Sequence, residues 1–191
     1  MKLKIKDLEK KLGKKIKKNF LAIGIDTASK LGLGYIHTTK KEVIIDWALL
    51  EFHTNTIQEL YKQMYVALGD FILADVNCCV IEDVFLGMNP DTTIKLARFG
   101  GLALAHAIDN KVHFETIGAK SARAKLFKID YKKYKGKTKQ AVADYLKSIG
   151  IKIDEDNCAD GLILALLGII EGMDFRSKAK INKLKKKRKG K

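Results

Sequence analysis

The sequence predicts an α/β fold: a mixed sheet of five strands, the first three antiparallel, with helices interleaved after them. Two observations carry this. First, three strand-like runs follow one another without a helix: Phe20–Asp26, Leu33–Thr38 and Val43–Phe52, the last two joined by the polar turn Thr39-Lys40-Lys41. Consecutive short runs with a tight polar link suggest an antiparallel meander. Second, helical and strand periodicities alternate from residue 56 onward, the pattern of sheet strands separated by covering helices.

The elements follow in order. In FLAIGIDTAS, Leu21, Ile23 and Ile25 alternate with Ala22 and Gly24 before Asp26. Such a run is a buried strand that carries one acid to its tip. Gly32 and Gly34 are expected to punctuate the turn that follows. Thr56–Ala74 places Ile57, Leu60, Tyr61, Met64, Leu68, Phe71 and Ile72 on one helical face, and Thr56 with Glu59 forms a capping box. CCVIED, Cys78–Asp83, is a second apolar run ending in acids. Asp91–Ile108 is a helix whose Gly100-Gly101 pair costs roughly 1 kcal/mol each against alanine, which suggests close approach of another backbone. Within it, His106 sits among apolar residues and is expected to be packed rather than a ligand. Val112–Ile117 is the fifth strand. Thr116–Lys128 is basic and partly helical, Lys139–Ile149 is a helix ended by Gly150, and Asp154–Gly172 is the last helix, acidic in its first turn.

The chain has 191 residues, 47% of them hydrophobic, enough for one well-cored domain. We expect one globular domain over residues 20–175, flanked by a basic N-terminal arm, 1–19, and a basic C-terminal tail, 176–191. In the arm, Leu3, Ile5, Leu8, Leu12 and Ile16 recur at loose helical intervals among lysines, which fits either an amphipathic segment or a solvated extension. The net charge of +15 points to a polyanionic partner, nucleic acid before an anionic membrane. Arginine occurs only at 98, 123, 176 and 188. A lysine-dominated surface favours phosphate contacts over reading of base edges. Three cysteines, two of them adjacent at 78 and 79, offer no CxxC spacing and suggest a reducing, intracellular setting. No apolar run is long enough to cross a membrane, and the charged N-terminus lacks the apolar core of a signal peptide.

Three apolar elements thus end or begin at an acid: Asp26, Glu82 and, near the start of the last helix, Asp160. A buried carboxylate is costly unless a cation, amide donors or a metal compensates it. Asp26 alone reads equally as a strand-end acid that caps the turn through Thr27 and Ser29; three such acids together are a way to build a metal site.

The motifs GIDTAS, IEDVFLGMNPDTTIKLARFGG and NCADGLILALL resemble those of the RuvC-type Holliday junction resolvases, the crossover junction endodeoxyribonucleases. The similarity spans roughly Phe20–Ile170, and its most specific part is the middle motif. The resemblance implies a ribonuclease H-like fold with helices on both faces of the sheet. It also implies that Asp26, Glu82, Asn157 and Asp160 are the catalytic, metal-ligating set. Asn157 stands where the family has an Asp or His, and its neutral amide oxygen is a weaker ligand. Asp156 or Asp154 is the alternative if the helix begins elsewhere, and Asp83 falls on the other strand face. The implied cofactor is Mg²⁺, with Mn²⁺ as a substitute and two ions per site. Hard cations take oxygen ligands, and two ions about 4 Å apart activate water and stabilise the leaving 3′ oxygen, giving 5′-phosphate ends.

By the same resemblance Phe85 is a loop aromatic that enters the junction, where stacking on an unpaired base is worth about 1–3 kcal/mol. Lys120, Arg123, Lys137 and Lys139 fall among the basic residues that face DNA, with either Lys137 or Lys139 in the role nearest the phosphate. The implied function is resolution of Holliday junctions by paired nicks in recombination and repair, by a homodimer. The implied setting is the cytoplasm of a bacterium or a phage-infected host, with no membrane partner. The alternatives are a relaxed nuclease of forks, flaps and three-way branches, a noncatalytic branched-DNA binding protein, and a ribonuclease of RNA–DNA hybrids.

Overall fold

A computed structural model describes residues 1–28, 30–84, 89–127, 133–134 and 136–175. Phe85 and the tail 176–191, both singled out above, lie outside the described residues.

The sheet has six strands in the order β1-β4-β3-β2-β5-β6. β2 (Phe20–Asp26), β3 (Leu31–Thr38) and β4 (Glu42–Leu50) form the expected antiparallel meander. β5 (Cys78–Glu82) joins β2 in parallel, and β6 (His113–Ile117) joins β5 in parallel. The sixth strand, β1 (Lys2–Lys4), corrects the expectation of five. It comes from the basic N-terminal segment and pairs antiparallel with β4 at the sheet edge. Lysines flanking a three-residue edge strand also discourage pairing with another sheet. The segment continues as α1 (Ile5–Leu12), which buries Ile5 and Leu8 and ends on Gly13 in the left-handed conformation. Its apolar spacing outweighs its charge, because the lysines lie on the outer face.

Side-chain alternation explains why both faces of the sheet are apolar. Leu21, Ile23, Ile25, Leu31, Leu33, Cys79 and Ile81 join one core, under α2 (Ile57–Phe71) and α3 (Pro90–Asp109). Ala22, Ile36, Ile45, Cys78 and Val80 join the other, under α1, α4 (Ala119–Leu126), α5 (Thr138–Ser148) and α6 (Asp156–Ile169). Cys78 and Cys79 thus point to opposite faces; both are free, as is Cys158, and burial pushes all three thiols up. Thr56 caps α2 by accepting the Glu59 N–H at 3.2 Å. Asn89 caps α3, accepting from Asp91 and Thr92, so the helix starts at Pro90. The His106 Nε2–H donates to the Tyr65 carbonyl at 2.6 Å and the two rings pack, which makes it a satisfied core histidine.

α6 is buried along almost its whole length and lies directly on β2 and β3. Glycine permits this approach. A Cβ on Gly24 would overlap the Gly161 carbonyl oxygen, a Cβ on Gly34 would overlap the Gly161–Leu162 backbone, and a Cβ on Gly161 would stand 2.8 Å from the Gly32 carbonyl oxygen and the Gly34 nitrogen. Gly32 and Gly34 are therefore strand residues under a helix, not the turn expected above. The Gly100-Gly101 pair meets no such backbone within the chain: the nearest atom to a Gly100 Cβ is Thr27 Cγ2 at 4.0 Å, and Gly101 is open. The far end of α6 is tied by the N-terminal segment, through Lys17 N–H to the Ile169 carbonyl at 2.7 Å and Lys17 Nζ to the Gly168 carbonyl at 2.9 Å. Among the described residues, no helix is long and apolar enough to cross a membrane.

Candidate active site

Strand parity places the first two acids. Ala22 and Gly24 face α6, so Asp26, two residues on, faces it too. Cys78 and Val80 face the same core, which puts Glu82 on that side and Asp83 on the other. The parallel register pairs Ile25 with Ile81, so Asp26 and Glu82 are neighbours at the ends of adjacent strands. The third acid arrives from above. The glycine seam seats the first turns of α6 on β3, with the Asn157 carbonyl packed on Gly32, the register partner of Asp26. Asn157 and Asp160, three residues apart, share one face of that helix.

Asp26 is only 6% exposed. Burial, together with a hydrogen bond to Glu82 and the charges of Glu82 and Asp160, pushes its carboxyl up to about 9; Arg123 opposes the shift. A carboxyl–carboxyl hydrogen bond requires a proton, and Asp26 keeps one near neutral pH. Asp160 finds a different counterpart. Arg123 on α4 donates to it twice, Nε to Oδ1 at 3.0 Å and Nη2 to Oδ2 at 2.6 Å, with both side chains largely buried. Asp160, Glu82 and Asp26 together reinforce the Arg123 charge.

These four groups form a negative cluster held by one proton and one guanidinium. Among the described residues, no three ligand-type side chains stand at metal-holding spacing, and Asp160 is engaged by Arg123. The donor set nevertheless suits a hard divalent cation. Every candidate ligand offers oxygen, and a cation there would favour the ionised form of Asp26. Asp26, Glu82 and Asp160 could hold such an ion. The Asn157 amide, half-buried and free of hydrogen bonds among the described residues, could add a neutral oxygen.

The basic candidates divide. Arg123 reaches the acids. Lys120 is exposed on the same helix, one turn earlier. Lys137 is exposed at the start of α5, and Lys139 approaches Asp156 at 3.6 Å, an exposed pair. Asp156 thus faces Lys139, not the carboxylate cluster. The sequence reading placed Arg123 against DNA and did not foresee its ion pair with Asp160, 37 residues on. It also overlooked the glycine seam, although a glycine alternating with apolar residues in each of two paired strands was a visible signal.

The model for crossover junction endodeoxyribonuclease RuvC matches residues 22–167, which span the sheet from β2 to β6 and run into α6. The chain belongs to the RuvC family. It is 35% identical to RuvC of Helicobacter pylori (strain ATCC 700392 / 26695) over 107 residues, covering 52% of this chain and 68% of that protein. RuvC of Sulfurovum sp. is 32% identical over 82 residues, 41% of this chain and 52% of its own length. Among solved structures, Thermus thermophilus RuvC in complex with a Holliday junction substrate superposes with a TM-score of 0.63 at 18% identity, covering 77% of this chain and 90% of that one. A second Thermus thermophilus RuvC structure gives 0.61 at 15% identity over 79% and 98%. The likeness fixes the fold as ribonuclease H-like. Asp26, Glu82, Asn157 and Asp160 all lie inside the matched region, whereas β1 and α1 precede it.

Proposed function

We propose that this chain resolves four-way DNA junctions by metal-dependent hydrolysis, with Asp26, Glu82 and Asp160 as the carboxylate ligands and Asn157 as a neutral fourth. The observation that carries the reading is that the ends of β2 and β5 and the first turns of α6 bring Asp26, Glu82 and Asp160 to one face of the sheet. Mg²⁺ or Mn²⁺, when bound as a pair, would supply an activated water and a Lewis acid for the leaving 3′ oxygen.

The protein's own groups do the rest. Glu82 and Asp26 sit on rigid neighbouring strands, so their carboxylates are preorganised. Arg123 lies beside the cluster, and were Asp160 to hold a cation its guanidinium would be free to bind a phosphate oxygen, an anion suited to a bidentate donor. Lys120, Lys137 and Lys139 are exposed and would serve as cations for the DNA backbone. Phe85 follows Glu82 by three residues in the chain, a position suited to stacking on a base at the branch point.

Two symmetric nicks need two sites, so the working form is a homodimer, acting on DNA in the cytoplasm of a bacterium or a phage-infected cell. The substrate class is tested by supplying a four-way junction, a fork, a flap, linear duplex and an RNA–DNA hybrid with Mg²⁺. Preferential nicking of the junction supports the proposal. Equal cutting of forks and flaps moves the substrate to branched DNA in general, and preference for the hybrid overturns it.

A further inference from the structure

The sheet has a second basic feature, at the end opposite the acids. Phe20 begins β2 and pairs with Thr38, the end of β3, while Asp26 lies six residues along the strand. At about 3.3 Å per residue that is roughly 20 Å. At the Phe20 end, α1, the segment that follows it and the β3–β4 turn enclose a groove of about 940 Å³. Eight of its twelve lining residues are lysines and two are glutamates.

Several properties identify what such a groove would take. Glu9 is already engaged, accepting the Ile16 N–H at 3.2 Å and pairing with Lys15 at 3.5 Å. Among the described residues, Lys6, Lys10, Lys18, Lys40 and Lys41 have no ion pair, and all five are exposed. Against these five charges the lining offers one further acid, the exposed Glu42, so the groove keeps a large positive excess. The lining contains no aromatic residue and no arginine. Stacked bases and base edges are recognised by those groups, so the groove is unsuited to single strands or to sequence. Mobile ammonium groups suit a row of phosphates. The wall is also firmly built: Ile5 and Leu8 anchor α1 in the core, β1 pairs with β4, and the Ile5 N–H donates to the Lys41 carbonyl at 2.9 Å. Nine of the twelve lining residues, from Lys4 to Lys18, precede the region matched by the family model.

We propose that this groove is a second DNA site, binding the phosphate backbone of a duplex without regard to sequence, well apart from the carboxylate cluster. The inference rests on the reading of DNA as substrate. Its effect is to hold a duplex arm, or a neighbouring duplex, while the acids act on the branch.

The test is binding of a short linear duplex, followed by fluorescence anisotropy in EDTA across a salt series, using the full chain. The groove variant carries Lys6→Gln, Lys10→Gln, Lys40→Gln and Lys41→Gln. A control carries the same loss of charge on exposed Lys62, Lys111, Lys147 and Lys152. Each phosphate contact contributes about 0.9 to the slope of log affinity against log salt, so the groove variant, with four lysines removed, is expected to lose up to about 3.6 from the slope, and the control little. Duplex affinity at low salt should fall at least about tenfold in the groove variant. Its melting temperature and its single-turnover junction cleavage at saturating protein should match the wild type. A slope equal to that of the control overturns the proposal. Because binding is read without metal, failure of the nuclease reading leaves a distinct signature: a salt slope that still depends on the groove, in a protein that cuts nothing.

Discussion

Arg123 and Asp160 are joined by two parallel hydrogen bonds, 3.0 and 2.6 Å long, between a helix that flanks the sheet and the helix that lies on it. The pair satisfies a carboxylate that would otherwise repel Asp26 and Glu82. It also withholds that carboxylate from a cation. Replacing Arg123 with methionine keeps much of the volume and removes the charge. We expect the metal-free protein to lose about 2–4 kcal/mol of stability, because a largely buried partner is left unpaired. Mg²⁺ should restore more stability to the variant than it adds to the wild type. Thermal melts with and without Mg²⁺ check this.

The proton on Asp26 makes stability depend on pH. Its carboxyl is pushed from 3.8 to about 9 by burial first and by Glu82 next. Between those values the folded protein keeps a proton that the unfolded chain has released. Stability of the metal-free protein should therefore fall as pH rises through that window, on the order of 1 kcal/mol per pH unit at the steepest. Asp26→Asn should flatten the profile. Divalent metal should flatten it as well, by stabilising the ionised form. Denaturant melts from pH 5 to 9 measure the slope.

Gly24 and Gly34 lie beneath Gly161, where an added methyl meets backbone and no flexible side chain can yield. Gly34→Ala should cost about 3 kcal/mol by forcing α6 away from the sheet. The same displacement carries Asn157 and Asp160 off the strand tips. Metal affinity should thus fall even at temperatures where the variant remains folded. Leu146→Ala, buried under the same face but away from the acids, is the control: it should lower stability by about 2–5 kcal/mol and leave metal affinity unchanged. Calorimetric titration of Mn²⁺ separates the two.

Asn157→Asp adds a charge to the set of oxygen donors. Metal affinity should rise, by about tenfold, as ligand charge increases. Metal-free stability should drop, since a fourth carboxylate joins the cluster. A parallel rise in both quantities would argue that residue 157 does not face the ion.

Much of this site was legible in the sequence, and for identifiable reasons. Asp26 and Glu82 each end an apolar run, and period-two alternation is enough to place both on one face. Asp160 was marked by its position at the head of an apolar helix. Two features resisted. Gly32 and Gly34 carry a turn signal locally, and only the approach of α6 shows that they are packing surfaces. Arg123 is one of many basic residues between 116 and 139, and nothing in local spacing reports a contact with Asp160 across 37 positions. In the N-terminal segment the pattern Ile5, Leu8, Leu12, Ile16 was visible, but its lysines resembled a solvated arm. The tertiary contact of Ile16 with Ile170 decides in favour of packing.

The central claim is that Asp26, Glu82 and Asp160 form a metal site that cuts junctions. It is tested most directly by mapping strand breaks in a synthetic four-way junction incubated with Mg²⁺ and either the wild type or Asp26→Asn. The account predicts paired symmetric nicks with 5′-phosphate ends for the wild type, none in EDTA, and none for the variant despite unchanged junction binding. Cleavage by Asp26→Asn at the wild-type rate, or junction binding by the wild type with no metal-dependent nicking, would contradict it.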